Sequence, residues 1–310
     1  MATAHVAGRQ HPPTTGRAAP TSRAGSTSAS ASRLRRDRAT CLALAILLLL
    51  VALAVAADLL ATRFFRYGVS QQNLLSAYTP PTLADPAMWL GSDDVGRSQV
   101  VRLLYGGRVS LAVGFGAAVV DLAIGVTLGL AAGYFRGWLD DVILWGISTV
   151  DAIPTLFLLL LVAVLFTPGP ATLIVILGLL SCPRVALFVR GQTFSLRERE
   201  FITAARVLGA WHGRLLARHI LPNVLPLVLV VAAVDVGNIV LAESALSFLG
   251  LGIAPPTPSW GNMLANASAS FARGPWLVYG PGAAIVTVVL CLDLVGDGLR
   301  DALDPRLRSR

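Results

Sequence analysis

Long apolar runs separated by short arginine-bearing stretches dominate the chain. The first, residues 41–60 (CLALAILLLLVALAVAADLL), is close to the roughly 20 residues that carry a helix across a bilayer. Five more follow, at about 110–132, 142–166 with Pro154 inside it, 171–189, 223–248 and 279–295. None alternates apolar and polar positions as barrel strands do, and a non-alternating run in hydrocarbon must satisfy its backbone within a helix. The pattern predicts an all-α polytopic membrane protein with six transmembrane helices.

Residues 61–109 are mixed and polar, with Pro80, Pro81 and Pro86. They are too irregular to cross lipid and long enough to form an ordered extracytoplasmic cap after the first helix. Residues 1–38 consist largely of Ser, Thr, Ala, Pro and Arg and cannot bury enough apolar surface to offset chain entropy, which predicts a disordered tail. The chain thus divides into an Arg-rich tail (1–38), a first transmembrane helix with its extracytoplasmic segment (39–109), and a five-helix core (110–310) that includes a long cytoplasmic loop at about 190–222. The small-x-small triplet Ala54, Val55, Ala56 also suits a cleaved signal peptide, but the length of the apolar run and of the basic tail favours a retained anchor.

Composition narrows the chemistry. The chain is 55% hydrophobic and 14% charged, with a mean hydropathy of +0.69, which excludes an ordinary soluble domain. All 25 basic residues are arginine, so neither a lysine-dependent phosphate loop nor a Schiff-base lysine is available. A net charge of +8 suggests nucleic acid in a soluble chain, but here the arginines gather at the ends of apolar runs, where they set orientation. The tail, the turn at Arg136, the loop bearing Arg190, Arg197, Arg199, Arg206, Arg214 and Arg218, and the terminus bearing Arg300, Arg306, Arg308 and Arg310 all fall inside if six spans are counted. The segment 249–278 falls outside and carries only Arg273. Both termini are therefore expected in the cytoplasm. Cys41, Cys182 and Cys291 lie far apart, and His5, His11, His212 and His219 are scattered, so no metal site or disulfide framework is expected.

The loop between the fourth and fifth runs has a helical pattern of its own. Phe201, Ala204, Ala205 and Leu208 recur at helical spacing, predicting a short amphipathic helix over 200–208 that begins at Glu200, and Gly209 then permits a sharp turn. A second helical stretch through Leu215 and Leu216 leads to Ile220, Leu221 and Pro222, where proline should stop or redirect the chain. The product is an L-shaped projection. It suits insertion into a groove on a soluble partner, and a helix lying on the membrane interface fits the same residues.

The string TAARVLGA followed by RHILPN resembles the signature of bacterial ABC-importer permeases, Glu-Ala-Ala, three residues, Gly, nine residues, Ile, one residue, Leu-Pro. Ala204, Ala205, Gly209, Leu221 and Pro222 occupy those places, while Thr203 stands for the glutamate and His219 for the isoleucine. Three further stretches resemble the dipeptide, oligopeptide and nickel branch: WLGSDDVGRSQVVRLLYGGRVSLAVG at 89–114, with Ser92 and Ser98 as departures, LAESALSFLGLGIAPPTPSWGNML at 241–264, and GDGLRDALDPRLR at 296–308. Together the resemblance spans about 41–308.

The resemblance implies a C-type permease in a bacterial plasma membrane, beside a second homologous permease subunit, two ATPase subunits and an extracytoplasmic solute-binding protein. The loop is then the coupling helix docked on an ATPase. ATP and Mg belong to those partners, so the chain itself is not an enzyme and binds no cofactor. The solute is a di- or oligopeptide, nickel or a similar small molecule. The competing classes are a secondary transporter or channel without an ATPase partner, and an intramembrane enzyme, which should bring a Ser/His pair or two carboxylates together.

Ionisable groups within spans are expensive and mark function by default. Asp121, Asp151 and Asp235 lie deepest, with Glu243 nearer an end, and these four are candidates for a translocation path. Each also suits a helix-packing partner. At Asp151 the nearby Pro154 frees backbone carbonyls that need partners. Asp297 precedes Arg300 at helical spacing, which favours a local ion pair. Gly114, Gly116, Gly125, Gly129 and Gly133 permit close helix approach, and Trp89, Trp138 and Trp145 suit interface anchors.

Overall fold

A computed structural model describes residues 38–166, 169–269 and 271–303. The tail expected at 1–38 lies outside them except for Arg38, which already begins a helix. Nine helices organise the described residues: α1 (Arg38–Val55), α2 (Gln99–Phe135), α3 (Trp138–Asp151), α4 (Thr155–Leu165), α5 (Pro170–Arg197), α6 (Glu200–Val207), α7 (Leu221–Phe248), α8 (Trp260–Ala269) and α9 (Trp276–Leu303), with short turns of helix between some of them. Among the described residues the only β-pairing is an isolated bridge between Ser92 and Ser98. Five helices are long and apolar enough to cross a membrane, and α3 with α4 supplies a sixth if that bent pair is one span.

The apolar stripes explain the packing. In α1, Thr40, Ala43, Leu47 and Ala54 are buried, whereas Leu42, Leu48 and Leu49 are more than half exposed. A soluble protein would hide those leucines; here they suit lipid. α1 packs on α9 and α2, and Gly298 of α9 makes room for Thr40, whose hydroxyl donates to the Leu294 carbonyl oxygen at 3.4 Å.

α2 and α5 form the central pair. A Cβ on Gly125 would stand 2.7 Å from Val185 Cβ, on Gly129 2.5 Å from the Ala186 carbonyl oxygen, and on Gly133 2.6 Å from the Arg190 carbonyl oxygen. Gly178 of α5 returns the arrangement, since a Cβ there would lie 2.7 Å from the Ala117 carbonyl oxygen. The glycines spaced by four along α2 let two backbones meet, which lipid alone does not drive.

Several boundaries differ from the hydropathy pattern. α2 starts at Gln99, eleven residues before its apolar run, because the Ser98 hydroxyl accepts from Val101 N and because Gln99, Val101 and Arg102 are buried against the segment before them. At 37 residues it is roughly 55 Å long at 1.5 Å per residue, well beyond a hydrocarbon core of about 30 Å. The run at 142–166 is two helices bent by 81°. Pro154 disfavours the α conformation of the residue before it, which is why the break falls there. The expected ion pair of Asp297 with Arg300 is not among those the described residues form.

Residues 61–98 are ordered chiefly by polar contacts. Asp93 accepts from Arg97 Nε at 2.6 Å and from the backbone N–H of Val95 and Arg97, at 3.1 and 2.9 Å. Tyr67 donates to the Gly96 carbonyl oxygen at 2.7 Å, and Gln99 at the start of α2 donates to the Leu277 carbonyl oxygen in α9 at 3.1 Å. Trp89 packs edge-on against Phe64 and Phe65, and Trp138 and Trp145 are largely exposed.

Candidate functional site

Two features stand out, an exposed elbow and a charged cavity. The elbow begins with α6. Ile202 is fully buried in a cluster with Tyr134, Val185, Val189, Leu215, Ile220, Val224 and Val228, and Ala205 and Ala210 lean on the same cluster. Phe201 is 40% exposed, Val207 83%, Leu208 86% and Trp211 69%. The stripe read from the sequence is therefore split. Ala205 faces inward beside Ile202, and Phe201, Ala204 and Leu208 are exposed with Thr203 and Glu200. An eight-residue helix carrying apolar side chains on both sides has one side anchored and the other left for something outside this chain.

Gly209 ends α6 with φ +85°, a left-handed conformation that side-chain-bearing residues disfavour. Gly209 N–H donates to the Arg206 carbonyl oxygen and Ala210 N–H to that of Ala205, both at 3.0 Å, which is the paired pattern of a Schellman cap. Beyond Trp211 the chain re-enters helix at His212 and stays helical to Phe248. Proline at 222 does not stop it. A turn of π-helix, Leu215–Ile220, runs into α7, where Pro222 occupies the first turn and its missing N–H costs little. Leu221 N–H donates to the Leu216 carbonyl oxygen, and the Asn223 side chain donates to that of His219 at 2.5 Å.

Charged groups brace the bundle at the point where the elbow leaves it. Arg190 makes a two-pronged pair with Asp140 at 2.6 and 2.7 Å, Arg136 meets Glu198 at 2.7 Å, and Arg197 donates to the Tyr134 carbonyl oxygen. The Tyr134 hydroxyl and His212 Nδ1 share a hydrogen bond of 2.8 Å. No local pattern announces that last contact, because the two residues are distant along the chain and one is a lone histidine.

The four carboxylates occupy different surroundings. Glu243 is fully buried and saturated, accepting from Ser110 at 2.8 Å and Ser247 at 2.7 Å; Ser110 in turn accepts from the Trp260 N–H at 3.2 Å. It ties α2, α7 and the start of α8 together. Asp121 is fully buried, and neither oxygen has a hydrogen-bond partner among the described residues, although Asp235 and Arg184 lie within electrostatic reach. Asp235 is 3% exposed and accepts from Arg184 Nη1 at 2.8 Å through Oδ1, with Oδ2 unpartnered. Asp151, the last residue of α3, is exposed.

Asp151 and Asp235 line one cavity of about 420 Å³, with Thr155, Ser181, Arg184 and Asn238 supplying the other polar groups. Asp121 and Glu243 lie outside its lining. Arg184 is the residue sequence reasoning missed. Its signal was present, a guanidinium inside an apolar run, and is as costly in lipid as any carboxylate.

The elbow and cavity fall within a recognisable whole. Residues 125–309 match the family model described as the binding-protein-dependent transport system inner membrane component. The chain belongs to that family. The matched span of this inner membrane component includes the elbow, Arg184, Asp151 and Asp235, and begins just after Asp121. Curated relatives include the dipeptide transport system permease protein DppC of Alkalihalophilus pseudofirmus, 41% identical over 221 residues that make up 71% of this chain and 73% of the relative. The oligopeptide transport system permease protein OppC of Bacillus subtilis is 37% identical over 251 residues, 81% of each chain. The glutathione transport system permease protein GsiD of Pectobacterium atrosepticum is 41% identical over 223 residues, 72% of this chain and 74% of the relative. Among solved structures, an inward-facing MetNI methionine ABC transporter chain shares the fold with a TM-score of 0.55 at 20% identity, covering 66% of this chain and 98% of the other.

Proposed function

We propose that this inner membrane component is a permease subunit of an ATP-driven importer for di- and oligopeptides, paired with a second homologous permease, two ATPase subunits and an extracytoplasmic solute-binding protein. The carrying observation is the elbow: an apolar outer face of Phe201, Val207, Leu208 and Trp211 on a helix whose inner face is locked to the bundle through Ile202. Such a knob suits a groove on a soluble partner and passes displacement inward. The names of the relatives support a peptide solute.

In this reading ATP and Mg act in the partner subunits and none binds here. Closure of the ATPases moves the docked elbows and shifts the spans between inward-facing and outward-facing states, which requires the ATPases to bind the two states with different affinity. Both termini face the cytoplasm of a bacterium, in keeping with the arginine distribution.

The test is co-purification and ATP-dependent peptide uptake with Val207→Asp and Leu208→Asp. Both positions are exposed, so the subunit should still insert while ATPase retention and uptake fall. Uptake that continues without a bound ATPase overturns the proposal in favour of a secondary transporter or channel.

A further inference from the structure

The cavity carries an ion pair with spare donors and a carboxylate that forms no ion pair among the described residues. Arg184 is 63% exposed at its side chain, and among the described residues only its Nη1 is engaged, by Asp235 Oδ1 at 2.8 Å. Asp235 itself is almost fully buried, so the pair is asymmetric: the carboxylate is packed away and holds the guanidinium in place, leaving other N–H groups toward the open space. A guanidinium fixed at one corner presents its remaining donors in a planar fork that fits a carboxylate. Asp151 is exposed, lines the same space from the α3–α4 break, and makes no ion pair with a described residue. Its carboxylate, acceptor-only, suits an ammonium.

The same wall carries Thr155, Ser181 and Asn238, which supply both donors and acceptors of the kind a peptide group needs. The remaining lining is aliphatic, including Leu159, Leu177 and Leu180. At about 420 Å³ the space lies near the low end of the roughly 300–1,000 Å³ of small-molecule sites, which favours a short ligand over a long one.

We infer that this cavity is a binding site for a short zwitterionic peptide, in which Arg184 takes the C-terminal carboxylate, Asp151 takes the N-terminal ammonium and Asp235 is the positioning residue that holds Arg184. The inference rests on the peptide-import reading and deepens it. It assigns recognition of free termini to the permease itself, apart from any selection by a solute-binding protein. Bidentate recognition of a carboxylate is lost on amidation, and ammonium recognition is lost on acetylation.

The test uses the permease–ATPase complex in lipid nanodiscs without the binding protein. Binding of Ala-Ala, Ala-Ala amide and N-acetyl-Ala-Ala is read by saturation-transfer NMR, which detects weak ligands. The variants are Asp151→Asn and the double substitution Arg184→Gln with Asp235→Asn, which removes both members of the pair together. Ala-Ala should bind the unaltered complex at least about tenfold more tightly than either blocked peptide. The double variant should lose the preference over the amide while keeping that over the acetylated peptide, and Asp151→Asn should do the reverse. This crossed pattern is one that mere loss of packing does not produce. Equal binding of all three peptides, or an equal fall for all three in each variant, overturns the assignment. Uptake by the complete importer in proteoliposomes separates the two levels: peptide uptake without terminus-dependent binding sinks this site alone, whereas no ATP-dependent peptide uptake sinks the peptide reading and the site with it.

Discussion

The elbow and the cavity use the same kinds of residue in opposite ways. Where the elbow joins the bundle several charged groups are paired: Arg190 with both oxygens of Asp140, Arg136 with Glu198, and Arg197 with the Tyr134 carbonyl oxygen, while Ile202 fills the apolar space beneath. In the cavity, among the described residues, Arg184 is held at one nitrogen, Asp151 forms no ion pair, and one oxygen of Asp235 has no partner. A region that must transmit displacement gains from firm attachment, because slack absorbs motion. A region that must capture and release a solute gains from polar groups left open, at some cost in stability.

Substitutions at the two regions should therefore separate stability from transport. The largest effect is expected for Ile202→Asp, which buries an unpaired carboxylate and should destabilise the elbow by on the order of 3–5 kcal/mol. Limited proteolysis of the 200–222 segment should then accelerate and uptake should be abolished; a protease-resistant elbow would show that Ile202 is not its anchor. Gly209→Val comes next, forcing a β-branched residue into φ +85° at a cost of about 1–2 kcal/mol. Since nothing lies within 4 Å of an added Cβ there, the effect is conformational and not steric. ATP turnover should be uncoupled from uptake while the subunit remains inserted, and normal uptake would refute the role of this turn.

On the cavity side, Asp151→Asn should change thermal stability by less than about 0.5 kcal/mol, because the side chain is exposed and unpaired, yet change peptide selectivity. A large loss of stability would mean that Asp151 serves packing after all. The smallest effect should come from Asp58, beyond the end of α1 and in neither region. Tyr105 donates to it at 2.6 Å and Arg108 at 2.8 Å, and these hydrogen bonds, that of Tyr105 first, hold its carboxyl below the usual range. A depressed value in the folded state means that the contribution is present above the ordinary carboxylate pKa and lost as pH falls through the folded one. Asp58→Asn should lower the neutral-pH melt slightly and leave the acid-side melt nearly unchanged, so that variant and parent converge as pH falls.

Much of this architecture was legible because lipid simplifies the reading: a run without alternation must be a helix, and the glycines spaced by four along α2 meet α5 as close approach requires. The loop motif was legible too, down to the turn at Gly209. Other features depended on long-range packing. The early start of α2 at Gln99 follows from the Ser98 hydroxyl at its first turn and from the reach of Gln99 to the Leu277 carbonyl oxygen, not from hydropathy. The passage of helix through Pro222 needs a π-turn that no local signal announces. The inward side of α6 is set by a gap beside Leu215 and Ile220, which only the folded chain creates. Arg184 was overlooked for a different reason: arginines had been read as markers of orientation, and one inside an apolar run belongs with Asp121, Asp151 and Asp235.

The unbroken helical course from His212 to Phe248 places three addresses on one shaft: the Tyr134 anchor at His212, the cavity wall at Asp235, and the serine-bound Glu243. Roughly 55 Å of helix carries them, with the π-turn at Leu215–Ile220 and the prolines just beyond it as the places to bend, so a push at one end arrives at the other as a change of tilt or rotation. Thermodynamic reciprocity then makes the traffic two-way, and a peptide seated against Asp235 and Arg184 should alter the grip of whatever clasps Trp211 outside the membrane.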